Sequence, residues 1–226
     1  MSIEWIDLAR QAAEAGTVNL LITGGEPMLR PDFCDIWEGI YKQGFLIELY
    51  TNASLVSDKI LNTLSEYPPH KIGVTVYGAS SATYEKVCGN GAMFERMLQG
   101  VQKLQTFPSF LSFRTTIIKD NYEDVENIEE LVRREFHYPR ELTETRVVSA
   151  SVRGACADVG ACRLDAKENI DLLIHRAAGM TSYTISWDDR LLPCQLLGNY
   201  AVDLKSHSLC EAWQMLPTIL RSISAF

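Results

Sequence analysis

The chain has 226 residues with a formal net charge of -8 and 46% hydrophobic content, enough for one large domain or for one domain with a small appendage. The negative charge is spread along the chain and no basic cluster occurs, so the electrostatic footprint of a nucleic-acid binder is absent. No apolar run is long enough to span a bilayer, and residues 1–10 are amphipathic and acid-bearing rather than leader-like, so the protein reads as soluble and cytoplasmic, without a membrane partner.

In chain order, Ser2 can cap an opening helix whose apolar stripe is Ile3, Ile6, Leu8 and Ala12 or Ala13, with Gly16 as its stop. Residues 18–23 form a first strand, apolar enough to be covered on both faces. The pattern then repeats: helix 33–42, strand 45–50, helix 57–65, strand 72–77, helices 82–87 and 93–104, strand 111–118, helix 124–136 and strand 145–149. Strands alternating with helices through short connections predict βαβ units and a parallel sheet.

The opening helix has no strand before it. It looks like the second half of a βα unit, so the expected architecture is α/β, an incomplete parallel (β/α) barrel of the TIM type without its first strand, over 1–150. Beyond Ser151 the texture changes: a polar loop over 152–163, a helix over 165–178, a hairpin of 183–186 and 190–193 across Trp187, Asp188 and Asp189, and a helix over 208–222. Residues 151–226 are read as a short α+β extension, with Trp187 and Trp213 as its packing anchors.

The stretch LLITGGEPMLRPDF, from Leu20 to Phe33, organises the chain. A buried strand empties into Gly24-Gly25-Glu26-Pro27: the glycines allow positive φ and close approach of a ligand to backbone, and Pro27 sets the exit direction. Glu26 sits at the carboxyl end of the strand, where a carboxylate beside backbone carbonyls suits an ammonium group.

That string resembles the GGEP motif of radical S-adenosylmethionine enzymes, where the loop binds the methionine amino group. YTNA at Tyr50 to Ala53 and TVYG at Thr75 to Gly78 match later strand ends of the same family. The resemblance implies cofactor contacts from Gly24, Gly25, Glu26 and Pro27, with Asn52 and Thr75 as further contacts. Family members often place an arginine where Cys88 stands. The stretch from Ala178 to Cys194 and that from Ser208 to Trp213 are similar to the SPASM region of peptide-modifying members, which makes Cys194 the one match to an auxiliary-cluster ligand.

The resemblance implies reductive cleavage of S-adenosylmethionine at a [4Fe-4S] cluster, yielding a 5'-deoxyadenosyl radical that modifies a peptide or protein. The cluster needs three cysteines spaced C-x-x-x-C-x-x-C, and the six present, Cys34, Cys88, Cys156, Cys162, Cys194 and Cys210, contain no such triplet. The expectation is therefore a piece of a longer protein or a shortened relative that does not bind the cluster alone. The alternative is a catalytically inactive peptide-binding module, or a subunit completed by a partner that supplies the cluster loop.

Cys156 and Cys162 could share a metal or be free loop thiols, and Cys34 and Cys88 read as packing cysteines. Arg114 and Arg146 lie on predicted strands and are candidates for contacting cofactor or substrate carboxylates. For Arg114 or Arg146 an ion pair with a neighbouring acid such as Glu144 is the competing reading. Removing a first strand would also leave an unpaired apolar edge near 18–23, which recruits other chains.

Overall fold

A computed structural model describes residues 2–107, 110–137, 143–146, 179–194 and 197–224, of which 2–3, 143–146 and 222–224 are described by backbone alone. The chain divides into two compact units, Met1–Val147 and Val148–Phe226.

The first unit alternates as the sequence pattern requires. Helix α1 (Ser2–Glu14) precedes β1 (Asn19–Ile22), α2 (Phe33–Tyr41), β2 (Leu46–Thr51), α3 (Asp58–Glu66), β3 (Lys71–Thr75), α4 (Ser81–Cys88), α5 (Met93–Leu104), β4 (Leu111–Ile117), α6 (Val125–Glu135) and β5 (Thr143–Arg146). The sheet order is β1-β2-β3-β4-β5, and every neighbouring pair is parallel.

Helix boundaries follow local chemistry. Ser57 accepts from the Ile60 amide at the start of α3 and Ser80 from the Thr83 amide at the start of α4, while Gly89, at φ 67, closes α4 in the left-handed conformation. Trp37, fully buried on α2, donates its indole N–H to the Tyr67 carbonyl just after α3 at 2.8 Å.

The sheet's two faces differ in kind. Ile47, Leu49, Ile72, Val74, Phe113 and Ile117 alternate on one face and are buried with Leu64, Met97, Val101, Leu104, Ile128 and Val132 of the helices. On the other face the alternate positions Glu48, Tyr50, Lys71, Thr75, Ser112, Arg114 and Thr116 are half-exposed. Strand β1 departs from the expectation of burial on both faces: Leu21 is 45% exposed and neighbouring Val18 59%, because β1 is the edge of the sheet and belongs partly to its polar side. Strand β5 begins two residues earlier than expected, and residues 147–149 lie outside the described residues.

The second unit contains an antiparallel sheet of β6 (Thr184–Ile185), β7 (Arg190–Leu192) and β8 (Val202–Asp203), and a final helix α7 (Leu209–Ser224). Leu191, Leu192, Val202, Leu209, Ala212, Leu216 and Leu220 form its buried core. Trp213 packs on Tyr183, with ring centroids 5.2 Å apart. Trp187 is not the anchor expected of it: it is 87% exposed because it occupies the tip of the β6–β7 turn. The helix expected over 165–178, and Cys156 and Cys162, lie outside the described residues.

The turn after β2 carries a backbone constraint. Ala53 is fully buried at φ 58, a left-handed conformation costing about 1–2 kcal/mol for a residue with a Cβ. Helix α5 meets this turn through Gly100, where an added Cβ would fall on the Ala53 carbonyl oxygen. Gly100→Ala is therefore expected to destabilise the protein by about 2 kcal/mol or more, read as a lowered urea midpoint; an unchanged midpoint would contradict this contact.

Candidate cofactor site

The turn leaving β1 is built by three backbone facts. Gly24 has φ 151, a region that a residue with a Cβ rarely adopts. Gly25 has an ordinary φ, and an added Cβ there would meet nothing within 4 Å. Glu26 then caps a 3-10 turn, Pro27–Leu29, in which Pro27 and Met28 are buried.

The Glu26 carboxylate, expected to suit an ammonium group, is engaged by the protein's own donors. Its Oε1 accepts from the Met28 amide at 3.1 Å and from the Thr51 hydroxyl at 2.8 Å, and its Oε2 accepts from the Asn52 amide at 2.7 Å. The physical reason is that the 3-10 turn and the end of β2 both present amides without backbone acceptors, and the carboxylate reaches both. Burial pushes the Glu26 carboxyl up, against the opposing pull of the Asn52, Thr51 and Met28 donors. What remains for an incoming cation is backbone: no donor meets the Gly24 or Gly25 carbonyl among the described residues.

Because the folded carboxyl is raised, the folded state holds more proton than the unfolded one above the ordinary value of 4.5. This contribution to stability is full below that value and is lost as pH rises through the raised one. Glu26→Gln is expected to cost about 1–3 kcal/mol through mismatched donors, with a gap to the parent that narrows as pH rises above 4.5. Denaturation at several pH values checks both; a gap that widens with pH would contradict the assignment.

The other predicted residues fall along the same end of the sheet. Thr51, buried, passes the Glu26 contact on by accepting from the Ala53 amide at 3.0 Å. Asn52 is half-exposed, and its Oδ1 accepts from the amide and hydroxyl of Ser54, which leaves its amide nitrogen available. Thr75 ends β3 on the half-exposed face, in register with Arg114.

Arg114 lies over the Tyr50 ring, 3.4 Å from guanidinium carbon to centroid. Both lean into space that only glycine leaves free: a Cβ at Gly73 would meet Tyr50 Cδ1 at 2.8 Å and Arg114 Nε at 3.3 Å. Sequence reasoning missed Gly73, although a glycine interrupting the apolar run Ile72-Gly73-Val74 is the usual sign of close approach. Arg146 is paired with Ile117, and Glu144 with Thr115 rather than with Arg114; the side chains of both lie outside the described residues.

The cysteines present a different case. Cys34 is buried, and burial pushes the half-buried Cys88 thiol up, so Cys88 supplies no cation where the family pattern often has arginine. Cys194 follows β7 as a half-buried free thiol. Among the described residues no three His, Cys, Asp or Glu side chains come together as a metal site. The described residues therefore fit the amino-acid end of S-adenosylmethionine but do not supply the donor set of an iron-sulfur cluster.

In parallel α/β sheets the carboxyl ends of the strands are where small molecules are usually bound, and the Gly24-Gly25 turn lies at that end of β1. The Radical SAM superfamily model matches residues 3–132. The chain belongs to that superfamily. It is 29% identical over 123 residues to AdoMet-dependent heme synthase and 28% identical over 123 residues to Fe-coproporphyrin III synthase, both of Methanosarcina barkeri. Each match covers 54% of this chain and 35% or 31% of the relative, so the chain spans about a third of the length of these curated relatives. In fold it is similar to Streptococcus suis SuiB bound to S-adenosylmethionine, with TM-score 0.74, 15% identity, and coverage of 100% of this chain and 61% of SuiB. A second similar structure is anSMEcpe with bound AdoMet and Kp18Cys peptide, with TM-score 0.69, 12% identity, and coverage of 97% and 74% of the two chains. These likenesses agree with a partial (β/α) barrel.

Gly25→Ala separates cofactor binding from folding. No described residue contests the added methyl, so stability is expected to change by no more than about 0.5 kcal/mol. Affinity for S-adenosylmethionine, followed by saturation-transfer NMR, is expected to fall about tenfold or more. Equal affinity in parent and variant would mean that the cofactor does not approach this backbone.

Proposed function

We propose that this protein takes part in radical S-adenosylmethionine chemistry on a peptide or protein. The observation that carries the reading is the turn at Gly24-Gly25, exposed, free of any neighbour a side chain would meet, and offering carbonyls without donors. Those carbonyls hold the methionine ammonium, Glu26 and Pro27 fix the turn that presents them, and Asn52 and Thr75 offer polar contacts on the next two strands. Held there and joined to a cluster supplied from elsewhere, the cofactor would provide radical hydrogen-abstraction chemistry.

The peptide substrate is supported by the likeness to SuiB, one structure of which is bound to precursor peptide SuiA, and to anSMEcpe with bound peptide. The second unit is read as SPASM-like, with Cys194 at an auxiliary-cluster position. A tetrapyrrole substrate is the second reading, favoured by identity to the heme and Fe-coproporphyrin III synthases that is about twice that to SuiB. The cluster loop comes from sequence outside these 226 residues or from a completing subunit; without either, the chain serves as a peptide-binding module. No described helix is long and apolar enough to cross a membrane, in keeping with a proposed cytoplasmic location.

Anaerobic reconstitution with iron and sulfide, followed by dithionite and S-adenosylmethionine, tests the reading by mass spectrometry of 5'-deoxyadenosine. This chain alone is expected to assemble no [4Fe-4S] cluster and to form no product, and a polypeptide carrying the C-x-x-x-C-x-x-C loop is expected to restore both. Product from this chain alone would overturn the account of the cluster ligands. No product with the loop present would overturn the radical reading.

A further inference from the structure

The half-exposed face of the sheet carries a cation that the other described residues leave unanswered. Among the described residues the Arg114 guanidinium makes no ion pair and no hydrogen bond, and its Nε is buried without a partner. A buried donor with no acceptor costs free energy, as does keeping position 73 a glycine inside a strand. The sole acid on the described part of this face, Glu48, stands in register with Lys71, two positions before Tyr50. Ser112 is committed to the Ile72 carbonyl at 3.2 Å.

We infer that Arg114, stacked on Tyr50 over Gly73, is the point at which a carboxylate of the substrate is recognised. Stacking covers the flat face of the guanidinium and directs its N–H edge sideways, the geometry in which arginine meets a carboxylate with two parallel hydrogen bonds. Thr75, in register with Arg114, offers a hydroxyl beside the same space. The inference rests on the proposed reading that this face receives the substrate, and it adds that the substrate is acidic.

The carboxylate can come from two molecules, the substrate or the methionine end of the cofactor. The backbone favours the substrate. Arg114 stands on β4, three strands from β1, or about 14 Å at ~4.8 Å per strand, whereas the ammonium and carboxylate of methionine share one carbon.

Titration of the 15N-labelled chain, following the Arg114 Nε–Hε cross-peak assigned by its loss in Arg114→Gln, distinguishes the two. The probes are glutarate, S-adenosylmethionine and decarboxylated S-adenosylmethionine. The expected result is a saturable shift of the Arg114 peak by glutarate, weakened about tenfold or more in Arg114→Lys, which keeps the charge but not the fork. S-adenosylmethionine affinity is expected to be unchanged in both variants. No saturable shift with glutarate in the parent overturns the inference and needs no variant to fold. A loss of affinity in Arg114→Gln for S-adenosylmethionine, but not for its decarboxylated form, also overturns it by assigning Arg114 to the cofactor. Failure of the parent to bind S-adenosylmethionine would count against the cofactor site and leave the glutarate result to decide this one.

Discussion

The structure of the site depends on one half-buried carboxylate. Glu26 gathers an amide from its own 3-10 turn and a hydroxyl and an amide from the end of β2, so two strand ends become a single rigid rim. Without that tie the turn at Gly24 and Gly25 would have no fixed direction, because its glycines resist distortion less than any other residues. Burying the carboxylate costs desolvation, which outweighs the three hydrogen bonds and raises its proton affinity, while those bonds offset part of the cost. The residue whose charge suggested a direct ligand contact is engaged by the protein's own donors and fixes the turn beside Gly24 and Gly25.

The sheet extends the same division of labour. Its helix-facing side is a continuous apolar layer, and its other side is a polar floor on which side chains lie across neighbouring strands. Gly73 is the point where the floor dips, and Tyr50 and Arg114 fill it. On the rim, the left-handed Ala53 and the closely packed Gly100 hold the loop after β2 against α5, so the rim is braced from the helix side as well. Under the proposed cofactor reading, such bracing orients the carbonyls of the turn in advance, which lowers the ordering cost of binding.

How much of this was legible in the sequence follows from the range of each interaction. The βα alternation was readable because caps are local: Ser57, Ser80 and Gly89 act within four residues of their partners. The Gly-Gly-Glu-Pro turn was readable because glycine and proline impose backbone geometry by themselves. The inward turn of Glu26 was not, since its partners Thr51 and Asn52 lie 25 and 26 residues away. The Arg114–Tyr50 stack was equally hidden, since only strand register brings β4 over β3 toward β2. Strand β8 is two residues long, too short for any alternation to show, whereas the turn that holds Trp187 was legible and only its reading as a packing anchor failed, the side chain being exposed at the turn tip.

Native-state hydrogen exchange of the Asn52 amide tests the central role of Glu26 most directly. That amide lies beyond the last residue of β2, so in an ordinary loop it would exchange quickly. If Glu26 holds the rim, it is protected to a degree comparable with the Leu49 amide inside the strand. Exchange at the rate of an open loop would show that the carboxylate does not tie the two strand ends together, and the account of the cradle would fail with it.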